Sequence, residues 1–145
     1  MTEAESPRLF TAEEATRTLP LVRRIARDIA EENERLQVLL PELRIARQRA
    51  RSSGNPGDLE SIREGVARSS ARLEANLDEL RQIGCILHEP TGVIDFPTVL
   101  HGRHVALCWR LGEETVRHWH EPGRSHLDRR VLPSELAAAC CNAES

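Results

Sequence analysis

The imidazole and thiol side chains, which can bind metal or act in acid–base chemistry, are confined to the C-terminal part of the chain. All six histidines, all four cysteines and both tryptophans lie after residue 84. Within this part, His118 and His120 are two residues apart, and side chains at that spacing project from the same face of a β-strand. Two imidazoles on one face meet the first requirement for a His-x-His metal chelate. The pattern predicts a metal site centred on these two histidines.

The identity of a third ligand depends on how the preceding strand pairs with the histidine strand. If Cys108 lies opposite Val116, then His104 and Cys108 share the face of the two histidines. A register shifted by one residue would place the histidines beside Trp109 instead. The first register separates polar from apolar side chains, and we favour it for that reason. The candidates for the third ligand are His104, Cys108, His126, Asp128 and Glu121.

Three carboxylates are candidates for proton transfer. Asp95 stands between Ile94 and Phe96, and a carboxylate among apolar neighbours needs a partner. Arg110, Arg103 or a metal-bound histidine could provide one. The predicted catalytic residues are Glu121, Glu113 and Asp95, and the predicted lining of a ligand pocket is Trp109, Trp119 and Arg110.

Zinc is the expected ion because it suits histidine combined with cysteine, whereas iron or manganese is expected if carboxylates complete the ligand set. An open coordination position would acidify a bound water or polarise a carbonyl group. A small molecule is the expected substrate. The sequence contains no phosphate-binding loop, nucleophile elbow or dinucleotide fingerprint, so the substrate class stays open.

Two alternatives accompany the metal-site hypothesis. In the first, the protein is a non-catalytic interaction module that dimerises through its helices, and the His/Trp cluster is structural. In the second, it is a metal-independent enzyme in which His118 or His120 acts as the acid–base group, paired with Asp95 or Glu121. The sequence leaves open whether the protein is an enzyme.

The preceding residues predict the scaffold that positions this chemistry. Residues 9–84 are expected to form a long antiparallel helical hairpin resembling a coiled coil, because apolar residues recur every seven positions on both sides of a Gly- and Pro-rich break. A capping box starts the hairpin at Thr11 and Glu14. Folding the helices back around Pro56 sets Leu39 opposite Leu73. Three leucines beside the seam need another cover, which favours a homodimer through the helices; they are Leu21, Leu40 and Leu77.

Residues 85–132 predict a small β-meander of three or four antiparallel strands, because the hydrophobic period changes from helical to alternating. Residues 133–145 form a tail in which Pro133–Cys140 is expected to be a short helix. The chain is therefore predicted to be a single α+β domain spanning residues 1–145. A carboxylate di-metal bundle is excluded because the helices contain no histidine.

Charge and composition exclude several classes of partner. Of the 145 residues, 39% are hydrophobic and 30% charged, which is typical of a globular protein. The net charge of −3 gives no large positive field to attract nucleic acid or an anionic membrane. No apolar run reaches the ~18 residues of a membrane span. A cytoplasmic location is expected, with neither nucleic acid nor membrane as partner.

Four segments together resemble a known family. They are Phe10–Ala15, Asp95–Pro97, Cys108–Glu113 and His118–Glu121. The set is similar to a bacterial family of uncharacterised proteins with a domain of unknown function. In that family, an F-T-x-E-E-A start and Leu-rich helices precede a D-F-P, C-W-R-x-G-E and W-H-E core. The resemblance does not indicate which activity, if any, the protein has. In this chain His126 and Asp128 stand where the family pattern leads us to expect Phe and Gly.

Overall fold

The computed structural model describes residues 8–133. Three helices are followed by a five-stranded antiparallel sheet and one short 3-10 helix, which confirms the α+β class, although three or four strands were expected. The short helix expected in the tail falls almost wholly outside the described residues. The elements are α1 (Ala12–Arg17), α2 (Leu19–Ser53), α3 (Leu59–Ile83), β1 (Ile86–Glu89), β2 (Val93–Leu100), β3 (Arg103–Arg110), β4 (His118–His120), the 3-10 helix (His126–Asp128) and β5 (Arg130–Val131).

The start of the helical hairpin follows from local sequence. Thr11 caps α1, and the reciprocal hydrogen bonds between Thr11 and Glu14 form the expected capping box. Phe10, just before the cap, is fully buried and packs edge-on against Phe96 of the sheet, with ring centroids 5.1 Å apart. Pro20 lies in the first turn of α2, where its missing N–H costs no helical hydrogen bond. The residues at the start of α1 thus connect the helices to the sheet.

The hairpin forms as predicted, but the register of its two helices differs. Leu39 was expected opposite Leu73. Instead, a Cβ atom added at Gly65 would lie 3.5 Å from the Leu39 side chain, and Ser69 donates a hydrogen bond of 2.6 Å to Glu32. The predicted register is therefore wrong by roughly two to three helical turns. The physical reason is that the observed register brings the buried Ser69 hydroxyl to the buried Glu32 carboxylate, so that both polar groups are hydrogen-bonded between the helices.

The sheet is a meander in which each strand pairs with the next. Cys108 lies opposite His118 rather than Val116, so the predicted pairing is displaced by two residues. An even displacement leaves the predicted division of the faces intact, and the alternative of a one-residue shift is wrong. Val116 leaves the ladder because its side chain is buried and its N–H donates to the Thr16 hydroxyl at 3.0 Å.

Alternate residues along the strands face opposite sides of the sheet, one towards the helices and the other away from them. The hydrophobic core that α1, α2 and α3 cover includes Val105, Leu107 and Trp109 of β3 and Trp119 of β4. The opposite face carries Asp95, Cys108 and His120, all of them buried. Residues 122–129 lie over this second face, where Arg129 pairs with Glu113. The core and the polar face are therefore separated by a single sheet.

Several apolar side chains of α2 stay exposed, among them Leu21 and Leu40, which were expected to need a cover. A homodimer through this surface stays a prediction. In the part of the chain that the structure describes, no helix is both long enough and apolar enough to cross a bilayer.

Candidate functional site

Three strands bring a carboxylate and two imidazoles together on the outer face of the sheet. Asp95 of β2 lies opposite Cys108 of β3, and His120 of β4 lies opposite the adjacent same-face position, Ala106. His88 lies in β1 at an irregularity, where the pairing with β2 shifts between Leu87 and Glu89. A bulge of this kind redirects a side chain. Strand pairing therefore positions Asp95 and His120 on one face, and the irregularity between β1 and β2 directs His88 towards them.

The Asp95 carboxylate joins the two rings. Its Oδ2 lies 2.8 Å from His88 Nδ1, and its Oδ1 lies 3.0 Å from His120 Nε2. Among the His, Cys, Asp and Glu side chains of residues 8–133, these three form the only group whose possible ligand atoms all lie within 4.8 Å of one another. His120 is 2% exposed and Asp95 is 8% exposed. This His88–Asp95–His120 cluster is buried but reaches the surface through His88 and Asp95.

Hydrogen bonding identifies an atom pair that needs a cation. Nδ1 of His120 lies 2.9 Å from the Glu121 carbonyl oxygen, which can only accept, so Nδ1 carries the proton. The other ring nitrogen, Nε2, then presents its lone pair to Asp95 Oδ1 unless the ring carries a second proton. Two acceptors 3.0 Å apart repel each other. A proton or a metal ion must therefore lie between them.

His88 is held differently from His120. Its Nε2 accepts a hydrogen bond of 3.1 Å from the backbone N–H of His126. Its Nδ1 therefore carries the proton of a neutral ring and donates to Asp95. The His126 ring also packs against the His88 ring, with centroids 5.4 Å apart. The 3-10 helix that begins at His126 thus determines which nitrogen of His88 carries the proton and holds the His88 ring in place.

A cavity of about 560 Å³ opens beside the cluster, and His88, Asp95 and His120 form part of its wall. This volume is typical of a site for a small organic molecule. Most of the remaining wall is apolar, contributed by Leu9, Ile86, Pro97, Val105, Ala106 and Pro122. The arrangement can therefore bind a mainly apolar ligand with a polar group directed at the cluster.

Several predicted site residues form a second group, farther along the same face. Glu113 pairs with Arg129 and accepts the backbone N–H of Arg110 at 3.0 Å. Burial opposes ionisation of Glu113, but the hydrogen bonds from Arg129 and Arg110 and the charge of Arg129 together outweigh it and lower the pKa. Burial, aided by the Asp95 charge, raises the pKa of the Cys108 thiol to about 12. Burial and the Arg129 charge lower the pKa of His118. This group is an ion pair with a neutral thiol and imidazole beside it.

The remaining predicted residues lie around these groups. Trp109 is fully buried in the core, where its indole N–H donates to the Glu113 carbonyl at 2.9 Å. Trp119 faces the core as well, so neither tryptophan lines the large cavity. His104 is exposed and contributes to the cavity wall. The Glu121 carboxylate pairs with Arg103 at 2.7 Å, and this hydrogen bond lowers the pKa of Glu121.

Of the three residues in the cluster, sequence reasoning assigned no role to His88. It did single out Asp95 as a carboxylate in need of a partner, and a histidine was one of the partners considered. The turn between β1 and β2 was the available signal, since folding back at Gly92 brings residues before it alongside Asp95. The irregularity that directs His88 into the site has no signature in the strand pattern.

Together these features define a class of protein: an α+β domain in which a helical hairpin supports a sheet whose outer face carries a His–Asp–His cluster beside a cavity. The chain belongs to the family described as an uncharacterized conserved protein (DUF2203), which it matches over residues 8–132. The family resemblance seen in the sequence is thereby confirmed. No curated protein and no solved structure matches the chain.

Proposed function

We propose that the protein binds a divalent metal ion through His120, Asp95 and His88, with open coordination positions facing the large cavity. The observation that carries the proposal is the pair of acceptors formed by His120 Nε2 and Asp95 Oδ1, which are 3.0 Å apart and require a cation between them. The hydrogen bond from His120 Nδ1 to the Glu121 carbonyl supports it further. Metal-binding histidines usually donate their second ring nitrogen in this way.

The donor set limits the choice of ion. Two imidazoles and one carboxylate are compatible with zinc, and the same combination with open positions is typical of non-haem iron(II). In a tetrahedral zinc site, ligand atoms lie about 3.3 Å apart, so the observed separations of 2.8 and 3.0 Å would have to widen by a few tenths of an ångström. Cys108, a protonated thiol in the metal-free chain, is not needed. A bound ion would acidify a water or polarise a ligand oxygen.

Metal analysis of protein purified without a histidine tag tests the proposal. We expect about one ion per chain, and uptake of Zn²⁺, Fe²⁺ or Mn²⁺ after chelation. His120→Ala should lower the affinity by more than ~100-fold, because it removes a ligand rather than a supporting group. Binding is measured by competition with a chromophoric chelator.

His118→Ala is the matched control. It removes an imidazole two residues away on the same strand and face, but outside the His88–Asp95–His120 cluster. We expect it to bind metal as the wild type does. Equal affinity in wild type and His120→Ala would contradict the proposal, and so would a loss confined to His118→Ala.

A second candidate function is supported by the hydrogen bond from the His126 N–H to His88 Nε2. A ring that accepts at Nε2 and donates at Nδ1 has no lone pair to give a metal at Nδ1. In this candidate, a proton shared by His120 and Asp95 supplies the cation, and the cluster acts as a metal-independent acid–base centre for a ligand in the cavity.

His126→Pro separates the two candidates. His126 is the first residue of its 3-10 helix and follows extended Ser125, so proline fits there, and it removes the backbone N–H together with the imidazole ring. For the metal site, freeing His88 should raise the affinity by about tenfold. His126→Ala keeps the N–H and serves as the control for loss of the ring. If neither wild type nor His126→Pro binds metal, the acid–base centre is favoured.

A further inference from the structure

Two buried nitrogen atoms that have no hydrogen-bond partner among residues 8–133 line a second, smaller cavity. They are Arg110 Nε and His126 Nδ1. The cavity has a volume of about 290 Å³, and its wall also includes Gly92, Leu111 and Leu127. A buried N–H donor without an acceptor is costly, and such groups are rare in folded proteins. Their meeting at one cavity indicates a missing acceptor.

The positive charge of Arg110 has no counter-charge in the described part of the chain. No carboxylate there lies within ion-pair distance of its guanidinium. Glu113 is close in sequence, but Arg129 occupies its carboxylate, and Arg110 contributes only its backbone N–H to that group. A cationic side chain with a buried N–H donor and apolar neighbours attracts an anion with oxygen acceptors.

His126 adds a second donor on the same wall. Its Nδ1 atom is buried, lies at the same cavity and has no hydrogen-bond partner among the described residues. An imidazole can carry its proton on either nitrogen. With the proton on Nδ1, His126 can donate to the ligand that Arg110 holds.

We propose that this cavity binds a small oxyanion, a carboxylate or phosphate group, through the Arg110 guanidinium and the His126 imidazole. Both groups offer N–H donors, which such an oxyanion accepts. The site is separate from the large cavity, since Arg110 and His126 are absent from the wall that His120 and Asp95 form. The proposal does not depend on metal binding at the cluster.

Titration of full-length protein with inorganic phosphate and with acetate tests the proposal. Both titrations are made at constant ionic strength, with chloride as the reference anion. NMR of nitrogen-15-labelled protein follows the Arg110 Nε–H resonance, and we expect a saturable shift with at least one oxyanion but not with chloride. Repeating the titration in His120→Ala removes a ligand of the proposed metal site. Persistence of the shift there separates this site from an oxyanion bound to metal.

Arg110→Gln should weaken the affinity by at least about tenfold, because it removes a charge-assisted hydrogen bond. Arg63→Gln makes the same charge change on exposed α3 and should bind as the wild type does. His126→Leu should weaken binding as well. Absence of a saturable Nε–H shift overturns the proposal, and so does unchanged affinity in a folded Arg110→Gln. If Arg110→Gln does not fold, the wild-type resonance and His126→Leu decide.

Discussion

Among residues 8–133, two carboxylates are buried, one in the helical hairpin and one in the sheet. Glu32 of α2 is 7% exposed and Asp95 of β2 is 8% exposed. Ser69, Arg72 and Arg35 donate to the Glu32 carboxylate at 2.6, 2.8 and 2.6 Å. Asp95 has two imidazoles as partners instead. Equal burial thus accompanies two very different surroundings.

The difference lies in the partners and in the adjoining space. The guanidinium and hydroxyl partners of Glu32 stay donors at all ordinary pH values, so they fix its charge. Burial alone would raise the pKa of Glu32, but the hydrogen bonds from Ser69, Arg35 and Arg72 lower it to about 2. The imidazole partners of Asp95 can exchange protons or bind metal, and a cavity adjoins them. Burial of a carboxylate therefore indicates function only when its partners can change state.

The largest expected effect is on metal affinity, which should respond to replacement of Asp95 but not of Glu32. Asp95→Asn should weaken metal binding by more than ~100-fold, because it replaces a charged ligand with a neutral amide. Glu32→Gln makes the equivalent change in the hairpin and should leave the affinity unchanged. Competition with a chelator measures both. Similar affinities in the two variants would remove the distinction.

The next effect concerns stability. Glu32→Gln should lower the free energy of unfolding by about 1 to 2 kcal/mol at neutral pH, because charge-assisted hydrogen bonds between α2 and α3 are lost. Urea unfolding followed by circular dichroism measures this. Glu34→Gln on the same helix, which has no ion pair among the described residues, is the control. A wild-type free energy of unfolding in Glu32→Gln would show that the hydrogen bonds of Glu32 set the helix register without adding stability.

Acid should abolish that difference. Since the pKa of Glu32 in the folded chain is about 2, below its value of roughly 4.3 in unfolded peptides, the ionised group stabilises the fold above that higher value. This contribution decreases as the pH falls towards 2. Wild type and Glu32→Gln should therefore converge in stability between about pH 4.5 and pH 2. A constant difference across this range would contradict the assignment.

The smallest effect is expected for an exposed pair next to the cluster. Arg103→Gln breaks the contact with Glu121, yet both side chains are at least one-third exposed. We expect almost no change in the free energy of unfolding, because solvent screens an exposed ion pair, and no change in metal affinity. A large change in affinity would mean that this pair helps to hold the His120 ring through the Glu121 backbone.

Features with a local or periodic cause could be predicted from the sequence. The capping box at Thr11, the two long helices and the sorting of strand residues into two faces depend on near neighbours and on a period of two or 3.6 residues. The face of His118 and His120 was correct for this reason, even though the strand pairing was displaced by two residues.

Features set by distant partners could not be predicted in the same way. The helix register depends on the meeting of Glu32 with Ser69, and the heptad pattern alone favoured another alignment. The departure of Val116 from the ladder depends on Thr16, which lies 100 residues away. His88 enters the cluster through an irregularity between strands. In each case a tertiary contact decided between locally acceptable arrangements.

The single sheet between the core and the cavity has a consequence for how this family can vary. Along β3 and β4, one position supports folding and the next faces the chemistry, so tolerance to substitution should alternate with every step along the strand. Trp119 and His120 are neighbours in the chain but belong to opposite layers. Ligand preference can thus diverge among members while the helical support stays constant, because most side chains of the two layers lie on opposite sides of the sheet.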